Sequence, residues 1–296
     1  MSVKPLGIKA YGHIPHLPTS RIGPGDHRIG EGQTRICTEK SRPGDEIILQ
    51  EKADGSAVAV AKIEGVITPL GKAGYPSLTS PFKQHHLFAA WVFERAMKFE
   101  DILSEGERIV GEWLAQAHGT RYFPLLIGPF MAFDLMRGHD RMIYDHFMKR
   151  VGGVFPTPRL LHRGGPISIE KAQLLLEPSG YGKNLDPVEG AVWRVEYKEK
   201  VDFLAKWVRP DKEDGKYLDK GIWNWLPKRD IMDLINVNLN EIAEIDKTAL
   251  FCNRDDDPMK FLRRSAKARI EDLTVMLPNR EKEEVMAKLR DMLPGR

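Results

Sequence analysis

Residues 46–63 read Glu46-Ile47-Ile48-Leu49-Gln50-Glu51-Lys52-Ala53-Asp54-Gly55-Ser56-Ala57-Val58-Ala59-Val60-Ala61-Lys62-Ile63. The first six residues have the β-branched, apolar character of a strand. Lys52 to Ser56 interrupts it with turn-forming Asp and Gly, and Ala57 to Ile63 resumes as a strand. The stretch therefore predicts two strands joined by a sharp turn, with an amine at the end of the first. A lysine in a turn is ordinarily just solvated, so the weight it carries depends on the rest of the chain.

Working outward, residues 11–45 are dense in Gly, Pro, His and Arg and read as turns with little regular structure. Strands are expected at 107–114, 121–125, 129–135, 159–162, 190–197 and 203–208. Leu87, Ala90, Trp91, Glu94 and Met97 repeat at helical spacing within 84–103, and 138–150 is a second helical candidate. Ser168 is placed to cap a helix over 169–177. After residue 218 the pattern turns helical. Ile231, Leu234, Ile235, Ile242 and Ile245 form a stripe, Asp255-Asp256-Asp257-Pro258 is a helix start, and a last helix over 280–293 ends at Pro294-Gly295. The fold class expected is α+β: a mixed domain with antiparallel strands over 1–218, then a small all-helical domain over 219–296.

The chain has 296 residues, 42% apolar and 29% charged, enough for a sizeable core without staples. Lys and Arg total 45 against 42 Asp and Glu, so net charge alone does not announce a nucleic-acid binder. Two cysteines, Cys37 and Cys252, make neither a disulfide framework nor a cysteine-rich zinc site and suit a cytoplasmic setting. No apolar run reaches membrane-spanning length, and Met1-Ser2-Val3-Lys4-Pro5 lacks a signal core, so neither a membrane nor secretion is expected.

Four further segments join the lysine turn: Gly111-Glu112-Trp113-Leu114, Phe133-Asp134-Leu135, Glu189-Gly190-Ala191-Val192-Trp193-Arg194 and Ala205-Lys206-Trp207-Val208-Arg209. In this order the five resemble motifs I, III, IIIa, IV and V of the covalent nucleotidyltransferases, which include ATP-dependent DNA ligases, RNA ligases and mRNA capping enzymes. His13-Ile14-Pro15-His16-Leu17-Pro18 and Arg21 to His27 further resemble the leader of the nick-sealing RNA ligases of phage and kinetoplastid-editing type. The resemblance implies an antiparallel-sheet nucleotidyltransferase domain of the ATP-grasp-like ligase kind. It implies an ATP-dependent RNA ligase that passes AMP from a lysine to an RNA 5′-phosphate and then joins that end to a 3′-OH. By residue, it implies Lys52 as nucleophile, Glu51 meeting adenine through its backbone, and Glu112 on a ribose hydroxyl. Phe133 would stack on adenine, Glu189 would hold Mg²⁺ or Mn²⁺, and Lys206 would contact the α-phosphate. A free lysine is almost wholly protonated near neutral pH, so the reading expects Lys206 and the metal ion to depress Lys52.

Two positions depart from the family pattern. Lys72-Ala73-Gly74 stands where an arginine usually precedes a glycine, a point charge in place of a fork. Val208 stands where a second motif V lysine is common, with Arg209 or Lys212 as possible substitutes. His139, Asp140, Asp145 and His146 lack metal-ligand spacing, and adjacent His85 and His86 are expected to point apart. The helical region after motif V, where DNA ligases and capping enzymes carry a β-barrel, favours the RNA ligase group. Lys260, Arg263, Arg264 and Lys267 are its candidate grip on nicked duplex RNA, and a monomer is expected. A DNA ligase, a capping guanylyltransferase or an inactive RNA-binding relative are the alternatives.

Overall fold

The structure, a computed structural model, describes residues 3–123, 128–177, 183–184, 186–249, 267, 269–271, 273–274, 276–277 and 279–292. The first compact unit spans residues 1–224 and the second 225–296. Residues 219–224, expected with the helical part, belong to the first unit. Asn224 donates to the Leu114 and Ala115 carbonyls and accepts from the Tyr122 amide, and the Ala117 amide donates to the Ile222 carbonyl.

In chain order the first unit carries α1 (Glu31–Thr38), β1 (Asp45–Lys52), β2 (Ser56–Ile63), β3 (Val66–Gly71), α2 (Lys83–Phe93), α3 (Ala96–Glu100) and β4 (Glu107–Trp113). There follow β5 (Tyr122–Phe123), β6 (Phe130–Arg137), β7 (Asp140–Arg141), α4 (Tyr144–Phe147), β8 (Leu160–Gly164), α5 (Ile169–Leu174), β9 (Lys183–Asn184), β10 (Gly190–Tyr197) and β11 (Lys200–Val208). The strands build two main antiparallel sheets, ordered β11-β10-β1-β8 and β3-β2-β4-β6-β7. The lysine turn is where the chain leaves one sheet for the other: Lys52 ends β1 and Ser56 begins β2. The fold class is thus the α+β, antiparallel-sheet arrangement expected.

Each sheet buries one core. Trp193, Trp207, Ile47 and Leu49 of the first pack with Ile169 and Ala172 of α5 and Leu17 of the leader. Ala59, Ala61, Leu70 and Val110 of the second enclose Ala10 and Tyr11. An aromatic cluster seats the helices: Phe88 and Trp91 of α2 meet Trp113 and Phe130 at centroid distances between 5.3 and 5.9 Å. Such offset ring pairs add to the burial of large apolar area.

Several elements differ from the sequence reading. The helix expected over 84–103 breaks, because Arg95 leaves helical backbone and turns its guanidinium onto the Trp91 carbonyl and ring. That break lets Phe99 stack on Phe155 at 4.7 Å. The region 138–150 opens as a hairpin pairing Met136 with Arg141 before turning helical at Tyr144. Strand β3 and helix α1 were not anticipated. The leader is extended and pinned to β11: the Leu17 amide donates to the Lys206 carbonyl (2.8 Å) and the Lys206 amide to the Pro15 carbonyl (2.9 Å). The Ser168 cap is present, accepting from the Lys171 amide.

In the second unit, α6 (Lys228–Ala249) buries Ile231, Ile235, Leu239 and Ile242, and α7 (Asn279–Met292) buries Val285 and Leu289. The helix start expected at Asp255–Pro258 lies outside the described residues. Among the described residues no helix is long and apolar enough to cross a membrane.

Candidate active site

The turn between the sheets is shaped by contact. A Cβ at Gly55 would collide with the Trp113 carbonyl, and one at Gly190 with the Trp207 carbonyl. Both glycines are therefore required for strands β1, β10, β4 and β11 to close on the turn. The result is a cavity of about 990 Å³. Lys52, Glu51, Lys72, Glu112, Phe133, Glu189 and Lys206, all seven nucleotide-site candidates, line it. Glu51, Lys52, Glu189 and Lys206 come from the first sheet or its edge, Glu112 and Phe133 from the second, and Lys72 from the turn after β3.

Lys52 Nζ donates to Glu189 Oε2 at 2.5 Å and to the Ala53 carbonyl at 3.3 Å. Burial opposes its charge, but Glu189, Glu112 and Asp54 prevail and raise the lysine above its ordinary value. Three carboxylates face it, and together they outweigh its burial; the depression expected from the sequence required a bound metal ion as well as Lys206. The carboxylates respond in kind. Glu112, which accepts from the Gly55 amide at 3.0 Å, is pushed up to about 7 by burial, with Glu189 and Asp54 adding to the effect. Burial likewise raises Glu189. Asp54 goes the other way: burial raises it, but Lys212 and Lys52 more than compensate.

Lys212, one of the two substitutes considered for the motif V lysine, turns to the carboxylates of the cluster. Its buried ammonium pairs with Asp54 and lies 3.6 Å from Glu189 Oε1. Arg209, the other substitute considered, turns instead to Asp211 at 2.8 Å and Glu177 at 3.8 Å. Lys206 is lowered by burial and by Lys52 and Lys72, with Asp26 of the leader opposing at 3.7 Å. Asp26 also holds the buried His16 ring at 3.0 Å.

Glu51 turns its carboxylate to Arg159 Nε at 3.0 Å. Phe133 is half-buried and meets Tyr11 edge-on at 5.2 Å. Of the proposed RNA grip, Lys260, Arg263 and Arg264 lie outside the described residues, and Lys267 is exposed, 3.9 Å from Glu271. His139 and its neighbours form no metal cluster, and Asp145 pairs with Arg163 at 2.6 Å.

Sequence reasoning missed His85. It lines the cavity, bonding Ser56 Oγ at 2.8 Å and Ser80 Oγ at 2.6 Å, while the His86 ring bonds the Ser80 carbonyl at 2.7 Å. Its position four residues along from Pro81, on the first turn of α2, gave no local signal. Asp26 was equally hidden in a loop-like stretch, since its link to the cavity runs through Lys206, distant in sequence.

No curated protein matches the chain. Solved structures similar to it include a putative ATP-dependent DNA ligase from Aquifex aeolicus, at 17% identity and TM-score 0.42 over 96% of this chain and 65% of that one. An archaeal ATP-dependent RNA ligase is 16% identical with TM-score 0.37, over 84% of this chain and 58% of that one. A Naegleria gruberi RNA ligase mutant with ATP and Mn is 14% identical with TM-score 0.42, over 72% and 63%. The chain thus spans less than two thirds of the length of each. The family model for RNA ligase matches residues 45–208, more than half of the chain, and by that match the chain belongs to the RNA ligase family.

Proposed function

We propose that the chain is an ATP-dependent RNA ligase that joins a 3′-OH to a 5′-phosphate through lysyl-AMP and AMP-RNA intermediates. The observation that carries this reading is Lys52 Nζ held 2.5 Å from Glu189 in a cavity shared with Glu112, Lys206 and Phe133. Perturbed ionisable groups in a cleft are the usual mark of a reactive site.

In the first step the neutral Lys52 amine attacks the α-phosphorus of ATP. The N–P bond forms, the bond to the bridging oxygen breaks, and pyrophosphate leaves with that electron pair while the nitrogen sheds one proton to solvent and keeps the other. Lys206 and Lys72 offset charge gathering on the phosphates. Phe133 offers a ring to adenine, Glu112 an acceptor to a ribose hydroxyl, and Glu51 its backbone, its carboxylate being engaged by Arg159. In the second step an RNA 5′-phosphate oxygen displaces Lys52 and takes AMP. In the third, the 3′-OH displaces AMP and the phosphodiester forms.

Glu189 suits Mg²⁺ or Mn²⁺ as a hard oxygen donor whose charge burial penalises. A divalent cation at Glu189 would supply the positive charge that draws the carboxylate from Lys52 and lowers the lysine. Nicked duplex RNA is the preferred substrate in this reading. Lys260, Arg263, Arg264 and Lys267 of the helical unit grip its phosphates, a contact largely independent of sequence.

The test is sealing of a 5′-labelled nicked RNA duplex with ATP and Mg²⁺, beside a nicked DNA duplex and a GTP control. Sealed RNA with a transient AMP-capped strand supports the reading. Sealing of DNA alone, GMP transfer, or no product with any pair contradicts it.

A further inference from the structure

From Gly65 through Phe93 the chain contains no aspartate or glutamate, although these number 42 in its 296 residues. The stretch carries Lys72, Lys83, His85 and His86 instead. It runs from β3 through a short 3₁₀ turn at Ser77–Thr79 into α2, and Lys72, Tyr75, Ser77, Ser80 and His85 form one wall of the Lys52 cavity. Along its cavity-side segment the large side chains face solvent: Tyr75 is 40% exposed, Leu78 56% and Phe82 60%. Phe82 stands edge-on to the cavity-lining His85 at 5.7 Å.

The backbone beneath these side chains is fixed. The Gly71 amide donates to the Tyr75 carbonyl at 2.9 Å, the Thr79 amide to the Pro76 carbonyl at 2.9 Å, and the Phe82 amide to Ser80 Oγ at 3.3 Å. Cations flank the rings. Lys4 Nζ lies 5.2 Å from the Tyr75 centroid, and Lys83, next to Phe82, lies 5.8 Å from that of Trp223. Apolar groups grouped at the surface mark a contact. A lip with exposed rings, flanking ammonium groups and no carboxylate is complementary to a nucleic acid, whose bases present π-faces and whose backbone is a polyanion.

We infer that this lip seats the RNA strand bearing the 5′-phosphate: Phe82 and Leu78 cap the nucleobase exposed at the break, and Lys72 and Lys83 take the flanking phosphates. The inference rests on the ligase reading for its choice of strand. AMP on Lys52 can reach only a 5′-phosphate inside the cavity, so the base attached to that phosphate lies at the cavity's edge, where the lip is.

The experiment uses the full chain and a fluorescent nicked RNA duplex with a 5′-phosphate at the nick, with affinity read by anisotropy. Phe82→Ala is expected to weaken binding about tenfold, within the range for loss of one base–aromatic stack. Phe82→Trp is expected to restore it, and Lys83→Ala to reduce the salt slope by about one. Self-adenylylation by Phe82→Ala, read by intact mass, is expected to match wild type. Unchanged RNA affinity in the Leu78→Ala/Phe82→Ala double variant overturns the inference. So does sedimentation showing a wild-type dimer that this variant dissolves, since the face is then a contact between copies. A chain that binds RNA through Phe82 but takes no AMP keeps the lip and loses the ligase reading. One that seals RNA with no dependence on Phe82 or Leu78 loses the lip alone, and a wild type with no RNA affinity loses both.

Discussion

Two buried ionic networks share the wall of one cavity, and they are balanced differently. In the first, Asp134 accepts from Tyr11 at 2.9 Å, Arg141 at 3.0 Å and Arg194 at 2.8 Å. Arg194 also donates to Glu196 and the Met142 carbonyl, and Glu196 accepts from the Tyr144 amide. Two carboxylates meet two guanidinium groups, and each remaining lone pair named here has a donor. In the second, Lys52 faces three carboxylates, with Lys212 paired to two of them. Lys52, Glu112 and Glu189 are raised and Asp54 is lowered, Glu112 to about 7. A network completed by the protein's own donors holds structure, and one left short of positive charge suits the cation proposed at Glu189. Both draw on the motif IV stretch, through Arg194 and Glu189, so a single segment serves fold and chemistry at once.

The largest effect expected from breaking this contrast is on stability. Arg194→Met strands Asp134 and Glu196, and breaking a buried pair costs about 3–5 kcal/mol. Thermal unfolding should show that loss, whereas Glu189→Gln should unfold close to wild type. In activity the order reverses. Glu189→Gln should slow self-adenylylation by about 100-fold or more, the scale of several kcal/mol of charge stabilisation. A magnesium titration with wild-type activation by this variant would place the ion elsewhere.

Lys212→Met sharpens the comparison at a smaller scale. Removing its charge leaves Asp54 and Glu189 uncompensated and raises Lys52 further. Labelling at pH 7 should fall roughly tenfold and recover as the pH rises, as expected for a lysine shifted up by about one unit. A variant that merely destabilised the fold would keep the wild-type pH profile.

Glu112→Gln gives the smallest effect. A carboxyl raised in the folded protein contributes stability below its unfolded value, near 4.5, and loses it as the pH climbs through about 7. His13, His16, His85 and His118 are lowered by burial or nearby lysines and act with the opposite sign. The difference between wild type and variant isolates Glu112. Between pH 4.5 and 7 wild type should lose stability relative to Glu112→Gln, and parallel curves would show that Glu112 does not titrate there.

Much of this was legible in the sequence where local pattern and chemistry coincide. The alternation around Lys52 marked β1 and β2, and the ordered motifs named seven side chains that share one cavity. What was not legible depends on contacts between distant segments. The leader reads as loops because Gly and Pro dominate it, yet its backbone is satisfied by β11. Helix 84–103 has an unbroken apolar rhythm, and it ends early where Arg95 turns onto Trp91 and Phe99 packs on Phe155. The surroundings of Lys52 were not legible because residue types show which charges exist, and only the fold shows that three carboxylates converge on one amine.

The central claim is that the charge-deficient cluster exists to let Lys52 take AMP. Intact-mass and peptide analysis after incubation with ATP and a divalent cation tests it most directly. The account predicts one AMP per chain, mapped to Lys52, and none on a folded Lys52→Ala variant. An adduct on Lys62 or Lys72, or labelling that survives in Lys52→Ala, would contradict it.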